Sequence, residues 1–274
     1  MQHPGRCQEN GVPTMIHRLL LIGIVAVSCF IGAGQLARSQ PQLPPCCYPD
    51  LQTAPPSDLF FDQRNDGTYL LRFSNTVMNM GPGRLEIQGN PKPRKKKEQD
   101  TVRQIYQNVY DAPVGGTQVI HEPVHSDAIY HAGHQHFHFA DFARYDLLVQ
   151  DSTGYALTEK KGTKTSFCIM DTTQVPTDPP TDYPAQYRTC GGELQGLTPG
   201  WGDTYDYTLA DQWVVLGTQP LADGEYGLQS TADPGGRLDE AVALDKNDPR
   251  ETNNTAVTYF TVSGGQMTNV RAAP

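Results

Sequence analysis

Residues 134–150 read HQHFHFADFARYDLLVQ, and this stretch decides the fold class. Its aromatic and β-branched residues alternate with polar ones, which is typical of β-strands that bury one face in a hydrophobic core. A strand over HQHFHF places His134, His136 and His138 on one face and points Phe137 and Phe139 to the other. The stretch therefore predicts a strand with a buried aromatic side and three imidazoles on the opposite side.

The rest of the chain has the same strand character. Short segments rich in β-branched and aromatic residues are separated by Gly, Pro, Asn and Asp. They include TYLLRF (68–73), RLEIQ (84–88), RQIYQNVY (103–110), TKTSFCIM (163–170), QWVVL (212–216), YGLQST (226–231) and TAVTYFTV (255–262). No long window has the i, i+3, i+4, i+7 apolar spacing of an amphipathic helix, and 22 prolines would interrupt most helices. We therefore predict a mostly-β fold, a single-domain β-sandwich with long loops.

The N-terminus is organised like a secretion signal. Residues 19–34 carry no charge, and the small residues Ala37 and Ser39 allow cleavage just before Gln40. Sixteen residues are few for a membrane span, although an uncleaved membrane anchor is the alternative. Met15 is a candidate for the true start of the chain. We expect a signal peptide at 1–39, a linker at 40–48, one domain at 49–264 and a tail at 265–274, with no membrane span after cleavage.

Charge and cysteine content bear on the partners and the compartment. The formal charge is −9 for the whole chain and −11 without residues 1–39, which argues against a nucleic-acid partner. Export would place the protein in a secreted, extracellular or periplasmic compartment, where disulfides form. Three pairings fit the four cysteines that remain, which are Cys46, Cys47, Cys168 and Cys190.

Six of the eight histidines lie between His121 and His138. Three imidazoles at i, i+2 and i+4 can bind one metal ion and leave coordination positions open for water, dioxygen or a side chain. Imidazole suits zinc, copper, iron and nickel, and no HExxH motif favours a zinc protease. The other histidines, His121, His125 and His131, are either surface residues or groups that surround the metal ligands.

Three motifs make the chain similar to the lysyl oxidase family. They are YHAGHQHFHFADFARYDLL (130–148), GTKTSFCIMDT (162–172) and LQGLTPGWGDTYDYTLADQW (194–213), in the order of that family. With supporting segments, the resemblance covers residues 49–263. It implies a copper-dependent amine oxidase that uses dioxygen to convert primary amines to aldehydes, with release of ammonia and hydrogen peroxide. Peptidyl lysine, small amines and polyamines are the candidate substrates.

The resemblance also assigns roles to individual residues. The copper ligands fall on His134, His136 and His138. The lysine in GTKTSFC, Lys164, and the tyrosine in GDTYD, Tyr205, would join as lysyl tyrosylquinone (LTQ) across 41 positions of sequence.

Asp203 is a candidate catalytic base, because it lies two residues before Tyr205 and residues i and i−2 of a strand share one face. Its alternative role is that of a turn residue after PGWG. A non-catalytic copper-binding β-sandwich is the alternative function, since it needs the histidines but not the lysine or the tyrosine. A cupin-like oxygenase would need a carboxylate ligand, and no motif spacing supplies one.

The chain departs from animal lysyl oxidases in its cysteines, which suggests a bacterial-type member. Gly133 stands where they have a cysteine before the first ligand, and Thr163 replaces a common histidine. In animal relatives, the cysteines at the positions of Cys168 and Cys190 form disulfides with other cysteines. Both of those partner cysteines are missing from this chain. The resemblance therefore predicts that Cys168 and Cys190 bond to each other.

Overall fold

The structure is a computed structural model that describes residues 47–95, 101–177, 180, 182–190, 193–241 and 253–273. These residues form 18 β-strands, and no α-helix occurs among them. The strands are β1 (Leu51–Thr53), β2 (Ser57–Gln63), β3 (Tyr69–Asn79), β4 (Leu85–Gly89), β5 (Arg94–Lys95), β6 (Thr101–Tyr110), β7 (Gln118–His131), β8 (His136–Ala140), β9 (Ala143–Asp151), β10 (Gly154–Lys161), β11 (Ser166–Phe167), β12 (Thr173–Gln174), β13 (Leu194–Leu197), β14 (Trp201–Tyr205), β15 (Trp213–Gly217), β16 (Gly224–Ala232), β17 (Thr255–Ser263) and β18 (Gln266–Ala272).

The described strands form three antiparallel sheets. In the six-stranded sheet, the long strand β3 pairs with β1, β2, β14 and β15, and β14 also pairs with β12. The five-stranded sheet has the order β10-β9-β16-β17-β18. The seven-stranded sheet has the order β11-β8-β7-β6-β4-β13, with β5 paired to β6. The candidate site lies where β8 and β11 of the seven-stranded sheet approach β14 of the six-stranded sheet.

One hydrophobic core is shared by all three sheets. Phe73 of β3, Phe139 of β8 and Leu147 of β9 are almost completely buried in the same cluster. The rings of Phe73 and Tyr145 pack edge to face, with centroids 4.6 Å apart. Burial of apolar surface is worth about 25 cal/mol per Å², so this shared core is the main stabilising element. The mostly-β, single-domain prediction is confirmed, with three sheets rather than the two of a simple sandwich.

The C-terminal end is part of the fold and not a tail. Residues 265–274 were expected to follow the last strand, but Gln266–Ala272 form β18, which pairs with β17. The turn between them is Gly264-Gly265, with φ values of 57° and 75°. A two-residue hairpin turn of this hand needs positive φ at both positions, and glycine adopts it without strain. The glycine pair was the signal for this hairpin.

Part of the predicted organisation cannot be compared with the structure. The predicted signal peptide at 1–39 and the linker up to residue 46 lie outside the described residues. Within the described ranges, no helix has the length and apolar character needed to cross a membrane.

Candidate metal centre and active site

The three predicted metal ligands converge, but they do not share one strand. β7 ends at His131 and β8 begins at His136, so His134 lies in the turn between them. The backbone N–H groups of His134 and Gln135 both donate to the carbonyl of His131, and Gln135 adopts a φ of 61°. The expected single strand over HQHFHF is therefore wrong at its start, because a hairpin turn interrupts it. His136 and His138 alone share a strand face, and the turn brings His134 to them.

The ring nitrogens of these histidines face one another. Nε2 of His138 lies 3.0 Å from Nε2 of His136 and 3.3 Å from Nδ1 of His134. One nitrogen from each ring lies within 4.8 Å of the other two. On the other side of the His138 ring, Nδ1 lies 3.3 Å from Oγ of Ser166, which orients the ring as outer partners of metal ligands do.

The electrostatics keep the His134 and His138 rings in the form that binds metal. Burial lowers the pKa of His138 to about 3, and repulsion from His136 and Lys164 adds to the effect. The pKa of His134 is also lowered, first by desolvation and then by His131 and His136. Both rings are therefore neutral at neutral pH and offer lone pairs. Three imidazoles whose nitrogens face one point fit an ion that prefers nitrogen ligands, copper included.

Lys164 and Tyr205 meet beside the histidines. Nζ of Lys164 lies 4.7 Å from the centroid of the Tyr205 ring and 5.4 Å from that of Phe167. The Tyr205 hydroxyl accepts a hydrogen bond from the Cys168 N–H at 2.8 Å and donates one to the Cys168 carbonyl at 2.9 Å. The Phe167 ring packs edge-on against Tyr205, with centroids 5.0 Å apart. The structure therefore brings together the amine and the phenol that the sequence separates by 41 positions.

The loop that carries Lys164 is held by backbone contacts. Gly162 donates its N–H to the Tyr145 carbonyl at 2.8 Å, and Thr163 donates to the Trp213 carbonyl at 2.9 Å. A Cβ atom at Gly162 would lie 2.8 Å from the Tyr145 ring, closer than real Cβ contacts allow. Glycine at this position lets the loop approach the core closely enough to aim the lysine at the tyrosine.

Asp203 lies in β14, opposite Val77 of β3, so the alternative of a turn residue does not describe it. Its side chain is 3% exposed, and its Oδ2 atom makes no hydrogen bond to any described residue. Burial raises the pKa of Asp203 well above its usual range. The pKa of Tyr205 is also raised well above its usual range, by burial and by the Asp203 charge. Burial lowers the pKa of Lys164, while Asp211 and Asp203 oppose that shift.

All six predicted site residues line one pocket of about 270 Å³. The lining consists of His134, His136, His138, Lys164, Cys168, Met170, Thr172, Cys190, Asp203, Thr204, Tyr205, Leu209 and Ala210. Sequence reasoning missed Met170 and gave the two cysteines no place in the site. The segment SFCIM, which begins two residues after Lys164, was the signal for them. The predicted disulfide between Cys168 and Cys190 is confirmed, with Cα atoms 5.8 Å apart.

The three remaining clustered histidines differ in their positions. The ring of His131 lies 4.3 Å from that of His134 and 4.9 Å from that of His138, between centroids. His121 instead contacts Asn108 through Nδ1 at 2.6 Å and stacks on Tyr106. His125 is exposed on β7. Of the three, His131 is the histidine whose ring packs against the predicted ligands.

Comparison with known proteins agrees with this geometry. The model of the lysyl oxidase family matches residues 92–255, more than half of the chain. The chain belongs to the lysyl oxidase family. All six predicted site residues of this lysyl oxidase family member lie within the matched range.

Curated relatives match a shorter part of the chain. Protein-lysine 6-oxidase of Rattus norvegicus is 38% identical over 108 residues, lysyl oxidase homolog 1 of Homo sapiens 37% over 108, and protein-lysine 6-oxidase of Sus scrofa 36% over 107. Each match covers 38% of this lysyl oxidase family chain, and 23%, 17% and 38% of the respective relative. The matched region therefore spans well under half the length of these relatives.

Proposed function

We propose that this chain is a copper-dependent amine oxidase that converts primary amines to aldehydes, with dioxygen as acceptor and ammonia and hydrogen peroxide as further products. The observation that carries the proposal is the position of Lys164 Nζ, 4.7 Å from the ring of Tyr205, in the pocket that the three histidines line. The family assignment and the names of the matched relatives support the same activity.

His134, His136 and His138 would hold the copper ion. Their rings present convergent nitrogens, and Ser166 orients the His138 ring through its other nitrogen. Copper bound there would supply, with dioxygen, the redox chemistry for oxidising a tyrosine phenol to a quinone.

Lys164 and Tyr205 would then form the LTQ cofactor. An ammonium group has no free electron pair, so Nζ of Lys164 must lose its proton before it can bond to the ring. Burial lowers the pKa of this lysine and so favours the neutral amine. The N–H and the carbonyl of Cys168 both bind the Tyr205 hydroxyl, which fixes the position of the ring beside the amine. Once formed, the cofactor would supply an electrophilic carbonyl for reaction with primary amines.

Asp203 is the proposed base that takes a proton from the substrate carbon. A carboxylate whose pKa is raised by burial binds a proton more tightly than an exposed one, which suits proton abstraction near neutral pH. Its Oδ2 atom has no hydrogen-bond partner among the described residues, and Asp203 is one of the residues that line the pocket. Substrate candidates are peptidyl lysine, small amines and polyamines, and no nucleic acid is expected.

We also propose that the protein works outside the cytoplasm, secreted or in a periplasm. The disulfide between Cys168 and Cys190 supports this compartment, because such bonds persist under oxidising conditions. The leader expected at 1–39 would direct the export, and the natural substrate would be met there.

The direct test is mass spectrometry of proteolytic peptides after copper loading in air. We expect the peptides of Lys164 and Tyr205 to be joined, and peroxide to form when a primary amine is added. The Tyr205→Phe variant should bind as much copper, because the histidines remain, but should give neither the joined peptide nor peroxide. A wild-type protein that binds copper in air and yields neither signal would leave the non-catalytic copper-binding alternative in its place.

A further inference from the structure

A second group of potential metal ligands shares the pocket with the three histidines. His136, Cys168 and Cys190 each place a ligand atom within 4.8 Å of the other two. Sδ of Met170 lies 3.4 Å from Sγ of Cys190. This contact joins two sulfur atoms without a hydrogen bond, since a disulfide sulfur has no proton to donate. One nitrogen, two cysteine sulfurs and one thioether sulfur therefore lie together beside the three-histidine site.

The oxidation state of the cysteines decides whether this group can bind metal. Thiolates are the metal-binding form of cysteine, and the disulfide between Cys168 and Cys190 withholds them. A dithiol reductant breaks the S–S bond by supplying two electrons and two protons, and it becomes a cyclic disulfide itself. Metal binding then releases the two thiol protons to solvent.

We propose that reduction of the Cys168–Cys190 disulfide creates a second metal site, made of His136 and the two thiolates with Met170 as a fourth donor, for a soft ion such as monovalent copper. Thiolate and thioether ligands select soft ions of this kind. A tetrahedral ion with a nitrogen at about 2.0 Å and sulfurs at about 2.3 Å separates its ligand atoms by about 3.5–4 Å. The ligand atoms of His136, Cys168 and Cys190 already lie within 4.8 Å of one another, and Sδ of Met170 lies 3.4 Å from Sγ of Cys190. Small side-chain rotations would give the required spacing.

The two sites exclude each other, because His136 belongs to both. In the oxidised protein, His136 completes the three-histidine site. In the reduced protein, the thiolates draw the ion away from His134 and His138. The disulfide is thus a redox switch that determines where the metal lies. This inference does not rest on the amine oxidase proposal, since it holds whether or not Lys164 and Tyr205 become joined.

Cadmium is a suitable probe, because its bonds to thiolates absorb in the ultraviolet and it does not change oxidation state. The full-length protein is titrated with cadmium, without oxygen, in its oxidised form and after reduction by dithiothreitol and removal of the reductant. The Cys168→Ser, Cys190→Ser double variant is treated identically and shows how much cadmium the other cysteines of the chain bind. Two further variants separate the sites: His136→Gln removes the shared ligand, and His138→Gln removes a ligand of the three-histidine site alone.

We expect one cadmium ion with a thiolate absorption band in the reduced wild type and no such band in the oxidised protein or the double variant. His136→Gln should weaken this binding by on the order of tenfold or more, while His138→Gln should leave it unchanged. Equal binding by these two variants, or a band in the double variant as strong as in the wild type, would overturn the proposal. If His136→Gln does not fold, cadmium NMR of the reduced wild type decides, because a shift typical of sulfur ligands alone would rule out His136.

Discussion

The proposed metal-binding residues (His134, His136 and His138, the metal half of the site) and the proposed cofactor residues (Lys164, Asp203 and Tyr205, the cofactor half) are built in different ways. Five consecutive positions supply the whole metal half, from a turn and the strand that follows it. The cofactor half is assembled from the loop before β11 and from β14, which pairs with β3 in another sheet. A local stretch of chain makes one half, and the tertiary fold makes the other.

This difference has an energetic consequence. The turn that carries His134 depends little on packing in the core, because His134 is exposed at the surface. The cofactor half instead places a carboxylate, a phenol and an amine together in a desolvated environment. Desolvation disfavours the charged form of each of these groups. The geometry of the cofactor half depends on the packing around it. Disturbances of the fold should therefore impair cofactor formation before they impair copper binding.

The largest expected effect comes from the buried histidine of the metal half. In the His138→Gln variant, we expect copper affinity to fall on the order of 100-fold or more, and the joined Lys164–Tyr205 peptide to be absent. His138 contributes the nitrogen that faces both other ligands, so its loss leaves two rings without a common centre. Copper content after dialysis and peptide mass spectrometry measure the two effects.

His125→Gln is the matched control, because it changes an exposed histidine of the neighbouring strand β7. This variant should keep both copper and the joined peptide. Retention of full copper affinity by His138→Gln would show that the metal is held elsewhere and that the two halves are not coupled.

The sequence predicted which residues form the metal half, but it did not predict their local backbone structure correctly. Histidine spacing identified His134, His136 and His138, and these rings do converge. The turn at His134 was missed, because HQHFHF alternates as a continuous strand would and no glycine or proline falls inside it. The fold class followed from many short β-branched and aromatic segments. Strand β18 was missed because only Thr268 and Val270 of its seven residues are strong strand formers and most of the strand is exposed.

The cofactor half could not be derived from residue patterns alone. Lys164 and Tyr205 are an ordinary lysine and tyrosine in the sequence, and their meeting depends on sheet pairings between distant strands. The family resemblance supplied them. The disulfide pairing of Cys168 and Cys190 came from the same source, since four cysteines allow three pairings. The position of that disulfide beside His136 required the three-dimensional structure.

A smaller effect is expected at Gly162, which sharpens the contrast between the halves. In Gly162→Ala, the added methyl group would press on the Tyr145 ring at 2.8 Å and displace the loop that carries Lys164. We expect a loss of about 1–3 kcal/mol in the free energy of unfolding, and a marked drop in the yield of the joined peptide. Copper content should be unchanged, because the metal half lies on other elements.

Thr163→Ala is the control for that variant, because it removes an exposed side chain from the same loop and leaves the backbone bond to Trp213 intact. Chemical denaturation and peptide mass spectrometry of both variants provide the comparison. A Gly162→Ala protein that joins its peptides as completely as the wild type would mean that the loop position does not limit cofactor formation.

The smallest effect is a change in the pH dependence of cofactor formation in Asp211→Asn. Joining requires the neutral amine of Lys164, so the yield at a fixed time should rise with pH and level off above the pKa of that lysine. Asp211 opposes the lowering of this pKa by burial. Without its negative charge the ammonium form loses stabilisation, the pKa falls further, and the profile moves to lower pH. At neutral pH we expect a gain of roughly a few-fold, as for one partly screened charge.

Asparagine is a suitable replacement, because Asp211 has a φ of 65° and asparagine tolerates that conformation. Asp206→Asn is the matched control, since it removes an exposed acid from the same loop that has no part in the Lys164 shift. The joined peptide is quantified against pH after copper addition. A profile of Asp211→Asn that coincides with those of the wild type and of Asp206→Asn would mean that proton loss from Lys164 does not limit the joining. The rate of joining would then be set by the metal half and not by the cofactor half.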